Sequence, residues 1–327
     1  MKVFFGKGIM KNDPHFLDET DTFYIQKFEN SHFTQYLYPG DSIKSNLNVE
    51  LVLLYDKFRD VFFENTDEYY KELSYLPIFI QTAGVDSSCA WTAETFNKWI
   101  HKEEYSKLPN FYRHLYLRDC QFLVGTIQNL LYGMENSFIS YYTQIVNIGN
   151  DMSPSNPDAV MCEMSIPAIF LSSLLESYFT KAYSILDILC KIGHELQFPE
   201  EEFISYRKIK SADLLWGSRK KLQINNAPST LFEKSELVSL IESIRNEVVH
   251  NGTWELNPKV FIEFRNGIPS ERYMLFPDIS QGHLSTVKNR NHFFGNHTKV
   301  NEVLPKIHTT YMQKMLNTVK LLNTSTI

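Results

Sequence analysis

The 327-residue chain is short of the residues that staple, break or anchor a fold. Thirteen glycines and thirteen prolines are few for this length, which argues against a loop-rich protein or a β-sandwich. The four cysteines, Cys89, Cys120, Cys162 and Cys190, show no C-x-x-C spacing, so neither a disulfide framework nor a zinc site is expected. His283, His292, His297 and His308 fall at spacings unlike the His-Glu-x-x-His metal helix, and no metal ion is expected. No Gly-rich phosphate loop of the P-loop or dinucleotide type occurs, and no cofactor is expected. No run approaches the roughly 20 apolar residues of a membrane-spanning helix. The apolar stretch in Met1-Lys2-Val3-Phe4-Phe5-Gly6-Lys7 is too short for a signal peptide. The expectation is a reduced, cytoplasmic protein without membrane contact.

Aromatic residues, by contrast, are plentiful, with 24 Phe and 18 Tyr, most of them expected in a core. The net charge of −6 is unevenly spread. Residues 1–150 carry 13 Lys and Arg against 19 Asp and Glu, whereas residues 204–327 carry 17 against 10. The acidic excess therefore belongs to the N-terminal part. The C-terminal part is basic enough to permit phosphate contacts, although a surplus of this size is also common on solvated surfaces.

The plainest break in the chain is 149–158, a cluster of turn formers (Gly-Asn-Asp-Met-Ser-Pro-Ser-Asn-Pro-Asp). It suggests a mostly helical N-terminal domain over 1–150, regulatory or dimer-building, and a helical bundle over 158–327. In the first part Lys2–Phe5 and Thr22–Phe28 read as short strands, and 48–64, 87–102 and 111–148 as helices. In the second, Leu171, Leu174, Leu175, Tyr178, Ala182, Ile185, Leu186 and Leu189 follow the helical series through about five turns. A helix is next expected over 200–222, and another from Thr230, where Thr230 and Glu233 match a capping box. That helix should stop at Asn251-Gly252. Val260–Arg265 and Tyr273–Phe276 read as strands around an Asn266-Gly267 turn. A last helix spans 303–322, with Pro305 in its first turn. The fold class is thus mainly α, a bundle with a small β-hairpin insertion.

On a helical wheel starting at Leu237, Leu237, Ile241, Ile244 and Val248 fall within about 60° and define a buried face. Asn246 and His250 fall on the other side, at about 180° and 220°, one turn apart. Arg245 sits at about 80°, a shoulder from which a long side chain can reach outward. The run Arg245-Asn246-Glu247-Val248-Val249-His250, near the end of a bundle helix that follows a long amphipathic one, resembles the active-site motif of the HEPN superfamily, the higher eukaryote and prokaryote nucleotide-binding domains. That motif is an Arg and a His four to six positions apart, with a polar residue, often Asn, after the Arg. The resemblance covers about 158–327 and takes in nothing before residue 150. It implies an RNA-cleaving bundle that works without metal, as a homodimer joined through the motif face. Many such proteins are toxins or effectors of phage defence by abortive infection.

These residue types suit the implied chemistry, in which a ribose 2′-OH attacks its own phosphate. His250 can exchange protons near neutral pH. Arg245 stays charged and can fork onto two phosphate oxygens. Asn246 can hold the imidazole or donate to phosphate. The basic run Arg219-Lys220-Lys221 could track an RNA backbone, although a solvated helix end would look the same. A second run, Arg290-Asn291 through His297, has the spacing but contains Gly295 and reads as loop. Trp91 and Trp99 read as core. The other reading is a non-catalytic HEPN module that binds a nucleotide, an RNA or a regulatory protein partner through the same cleft. The form of the motif with Tyr two residues after the His is absent, since Asn251 and Gly252 follow His250.

Overall fold

Apolar residues at helical spacing bury one stripe of each helix, and the chain accordingly folds as a mainly α protein with small antiparallel sheets. The computed structural model describes residues 2–5, 10–11, 24–29, 34–38, 41–199, 202–209, 222 and 227–324. Helices α1 (Asp41–Phe62), α2 (Thr66–Leu73), α3 (Ala93–Ile100), α4 (Glu103–Ser106), α5 (Phe111–Ile145), α6 (Ile166–Gln197), α7 (Glu236–Asn251) and α8 (Val300–Thr324) account for most of them. Among the described residues no helix is long and apolar enough to cross a membrane.

The chain forms two compact units of interleaved stretches: residues 1–47, 129–186 and 226–318, and residues 48–128, 187–225 and 319–327. The turn-rich cluster at 149–158 lies inside the first unit and does not divide the two. The second unit is centred on Leu76, Ile80, Trp99, Ile100, Phe111 and Leu115. Trp99 belongs to this core, and Trp91, partly buried, packs edge-on against it. Only one of them is helical, because α3 begins at Ala93 behind a Thr92 cap and not near 87.

In the first unit, strands β1 (Lys2–Phe5), β2 (Met10–Lys11), β3 (Tyr24–Glu29) and β4 (Thr34–Leu37) form an antiparallel sheet in the order β2-β1-β3-β4. A second sheet has the order β5-β6-β7, with β5 (Val160–Glu163), β6 (Val260–Arg265) and β7 (Ile268–Tyr273). Asn266 and Gly267 both have positive φ, 52° and 76°, the two-residue turn that pairs Arg265 with Ile268. That register places β7 at 268–273, where Pro, Ser and Glu hide its strand character, and not at 273–276. β5 was not anticipated, and it turns the hairpin into a three-stranded sheet. A short hairpin of β8 (Ile279–Ser280) and β9 (His283–Leu284) follows.

The expected helix over 200–222 is not found in its described part: residues 202–209 are irregular. Apart from Leu222, the remainder, Arg219, Lys220 and Lys221 included, lies outside the described residues. Pro305 falls inside α8, which begins at Val300, and not in its first turn.

Candidate active site on helix α7

Helix α7 starts at Glu236, six residues later than the capping-box pattern suggests. Thr230 and Glu233 are both engaged in a turn instead. The Thr230 hydroxyl donates to the Ala227 carbonyl at 2.6 Å and accepts from the Phe232 N–H, while Glu233 accepts from the Ser229 N–H at 3.0 Å and pairs with Lys314. The other end falls where the sequence puts it. Gly252 takes a left-handed φ of 92° and donates its N–H to the Val248 carbonyl at 3.0 Å. Trp254, almost fully buried, then pins the departing chain, its indole N–H donating to Ser172 Oγ at 2.8 Å.

Val238, Leu240, Ile241, Ile244 and Glu247 are the buried residues of α7, whereas Leu237 and Val248 are half-buried. The inward face is therefore rotated toward Leu240 and Glu247 from the Leu237–Val248 arc. The cause is the segment after β7, which covers that flank. The Leu284 N–H donates to Ser243 Oγ at 3.2 Å, and a Cβ on Gly282 would lie 2.6 Å from the Glu236 carbonyl oxygen. Ser243 is thus covered.

Arg245, Asn246 and His250 remain on the uncovered side. The Arg245 guanidinium lies 4.8 Å from the centre of the Tyr183 ring on α6 and donates to Asn246 Oδ1 at 2.9 Å. Arginine can only donate, so the Asn246 carbonyl must face it and the amide NH2 is turned away. His250 is exposed, one turn beyond Asn246, and has no hydrogen bond among the described residues. The neighbouring Val249 is 49% exposed, large for an apolar side chain on a polar helix end. The structure thus joins Arg245 to Asn246 directly and sets His250 on the same side without a bond to either.

Comparison with known protein families, curated proteins and solved structures finds no match to this chain. The site stands on its own residues.

Sequence reasoning missed the carboxylate in the middle of the motif. Glu247 is 6% exposed, and its oxygens accept from Asn251 Nδ2 at 2.9 Å and from Asn291 Nδ2. A charge about 60° from Ile244 on the wheel was the available signal. Of the four C-terminal histidines, His283 and His297 are exposed. His308 is buried, stacked on Phe138 and hydrogen-bonded through Nδ1 to the Tyr178 hydroxyl. His292 approaches Glu247. Among the described residues no group of three or more His, Cys, Asp or Glu side chains is placed to hold a metal ion.

Proposed function

We propose that this protein is a HEPN-type endoribonuclease that works without a metal ion, with Arg245, Asn246 and His250 as its active site. The observation that supports this reading most is the disposition of the three side chains. A histidine open to solvent stands one turn from an asparagine whose NH2 group is free of its neighbour, beside an arginine steadied over an aromatic ring. Such a set can bind a phosphodiester and move protons at it. Arg245 and the Asn246 amide would hold the non-bridging oxygens, and His250 would take or give a proton.

The partners that go with this reading are RNA and a second copy of the chain docked through the motif face, with a regulatory protein as a further candidate. Arg219, Lys220 and Lys221 would extend the phosphate contacts. The biological role it suggests is a toxin or phage-defence effector. The test is incubation of the purified protein with total RNA in EDTA, beside Arg245→Ala and His250→Ala. Cleavage by the wild type that both variants lose is the expected result. No cleavage by any form, with partner binding intact, would instead make the domain an interaction module.

A further inference from the structure

The second Arg-Asn run folds back onto the first. Val287 and Arg290 exchange backbone hydrogen bonds of 2.8 and 3.1 Å across a tight turn, with Lys288 at a φ of 56°. The turn delivers Arg290 exposed, with no ion-pair partner for its guanidinium among the described residues. The next two residues then meet Glu247. A carboxylate only accepts, so Asn251 from α7 and Asn291 from the loop must both aim their NH2 groups at it, tying the loop to the helix. His292 Nε2 lies 3.1 Å from Glu247 Oε1. That nitrogen is enclosed and has no other partner among the described residues, and it lies within ion-pair distance of the carboxylate but is not aligned as a hydrogen bond. The ring as a whole is 27% exposed. Glu247, Arg290, His292 and Phe293 help to line a cavity of about 430 Å³.

A carboxylate 3.1 Å from one ring nitrogen, beside a polar cavity that the histidine helps to line, is placed to orient that ring for proton transfer. Glu247 and His250 are three residues apart on one helix, a separation that places their Cβ atoms about 5–6 Å apart. We propose that His292, oriented by Glu247, is a second proton-transfer group working beside His250, and that Arg290 is a second phosphate-binding cation. A single chain would then carry both an acid and a base. This inference rests on the endoribonuclease reading.

The step balances within the chain. One histidine, neutral, takes the proton of the 2′-OH as its oxygen bonds to phosphorus. The phosphorus–O5′ bond breaks, and the other histidine, protonated, gives its proton to the departing oxygen. The products are a 2′,3′-cyclic phosphate and a 5′-hydroxyl, with the two histidines left in exchanged protonation states. The charged groups that line the cavity with His292 are Glu247 from α7 and Arg290 from its own loop. Asp278, near the far end of the loop, is taken up by the N–H groups of Gly295 and Asn296, each at 2.9 Å.

The test is the rate of cleavage of a labelled single-stranded RNA from about pH 5 to 9 by the wild type, His292→Gln, Glu247→Gln and Arg290→Ala, with thermal melts of each. Loss of His292 is expected to lower kcat by about 10²-fold or more and to remove one limb of a bell-shaped profile. Glu247→Gln should move that limb, and Arg290→Ala should raise KM more than it lowers kcat. His292→Asn serves where His292→Gln melts early. A His292 variant that is folded, keeps both limbs and stays within about threefold of the wild-type rate overturns this inference alone, provided His250→Ala is inactive. A wild type that cleaves no RNA overturns both readings.

Discussion

At residue 252 the backbone takes a conformation that a side chain resists. Gly252 has a φ of 92°, and a Cβ there would meet nothing within 4 Å, so the penalty for Gly252→Ala is conformational. It should lower stability by about 1 kcal/mol in urea unfolding, and an unchanged midpoint would mean that the helix end is set elsewhere. Asn251-Gly252 was legible because the chemistry of a left-handed stop is local. Glu247 was not, because two of its three partners, Asn291 and His292, come from more than forty residues away. His308 makes a second residue-level prediction. Burial, with the charge of Lys44 behind it, lowers its pKa from 6.5 to about 3. The folded protein keeps this ring neutral, while the unfolded chain protonates below its ordinary pKa. The stability it contributes is therefore complete above about pH 6.5 and is lost as pH falls toward 3. Burial pushes His114 the same way, against the opposing pull of Glu72. Between pH 7 and 5, urea unfolding should show a loss of about 2 kcal/mol from His308, and His308→Gln should flatten the slope. A slope that His308→Gln leaves unchanged would contradict this assignment.

At the scale of elements, what could be read was whatever repeats within a few turns. The apolar series from Leu171 to Leu189 lies within α6, and Pro199 follows its end at Gln197. The start of α7 could not be read, because Thr230 and Glu233 match a capping box and yet bond to Ala227, Ser229 and Lys314. β5 is four residues long and follows closely on the turn-rich cluster, and it is fixed as a strand by pairing with β6. The residues that fix the end of α7 are equally remote. Trp254 packs its ring against Phe276 and Phe179, so Trp254→Ala should cost about 3–5 kcal/mol. RNA cleavage should fall with it even though the residue lies outside the motif. A variant of wild-type stability would show that the helix end is held by the Gly252 turn alone.

For the molecule as a whole, a net charge of −6 opposes nucleic-acid binding at long range, so any RNA contact has to draw on the locally basic C-terminal part. Cleavage by the proposed site should consequently weaken steeply as salt rises. The proposed docking of two motif faces would cover Val249, which is otherwise exposed. Val249→Glu should convert a dimer into a monomer in sedimentation velocity while leaving the thermal melt unchanged, and a dimer that survives it would place the interface elsewhere. The most direct measurement of the central claim is the chemistry of the cut ends. In EDTA, wild-type protein should leave 2′,3′-cyclic phosphate and 5′-hydroxyl termini, and Arg245→Ala and His250→Ala should leave the RNA intact. Termini carrying 3′-hydroxyl and 5′-phosphate, or cleavage that survives both substitutions, would contradict it.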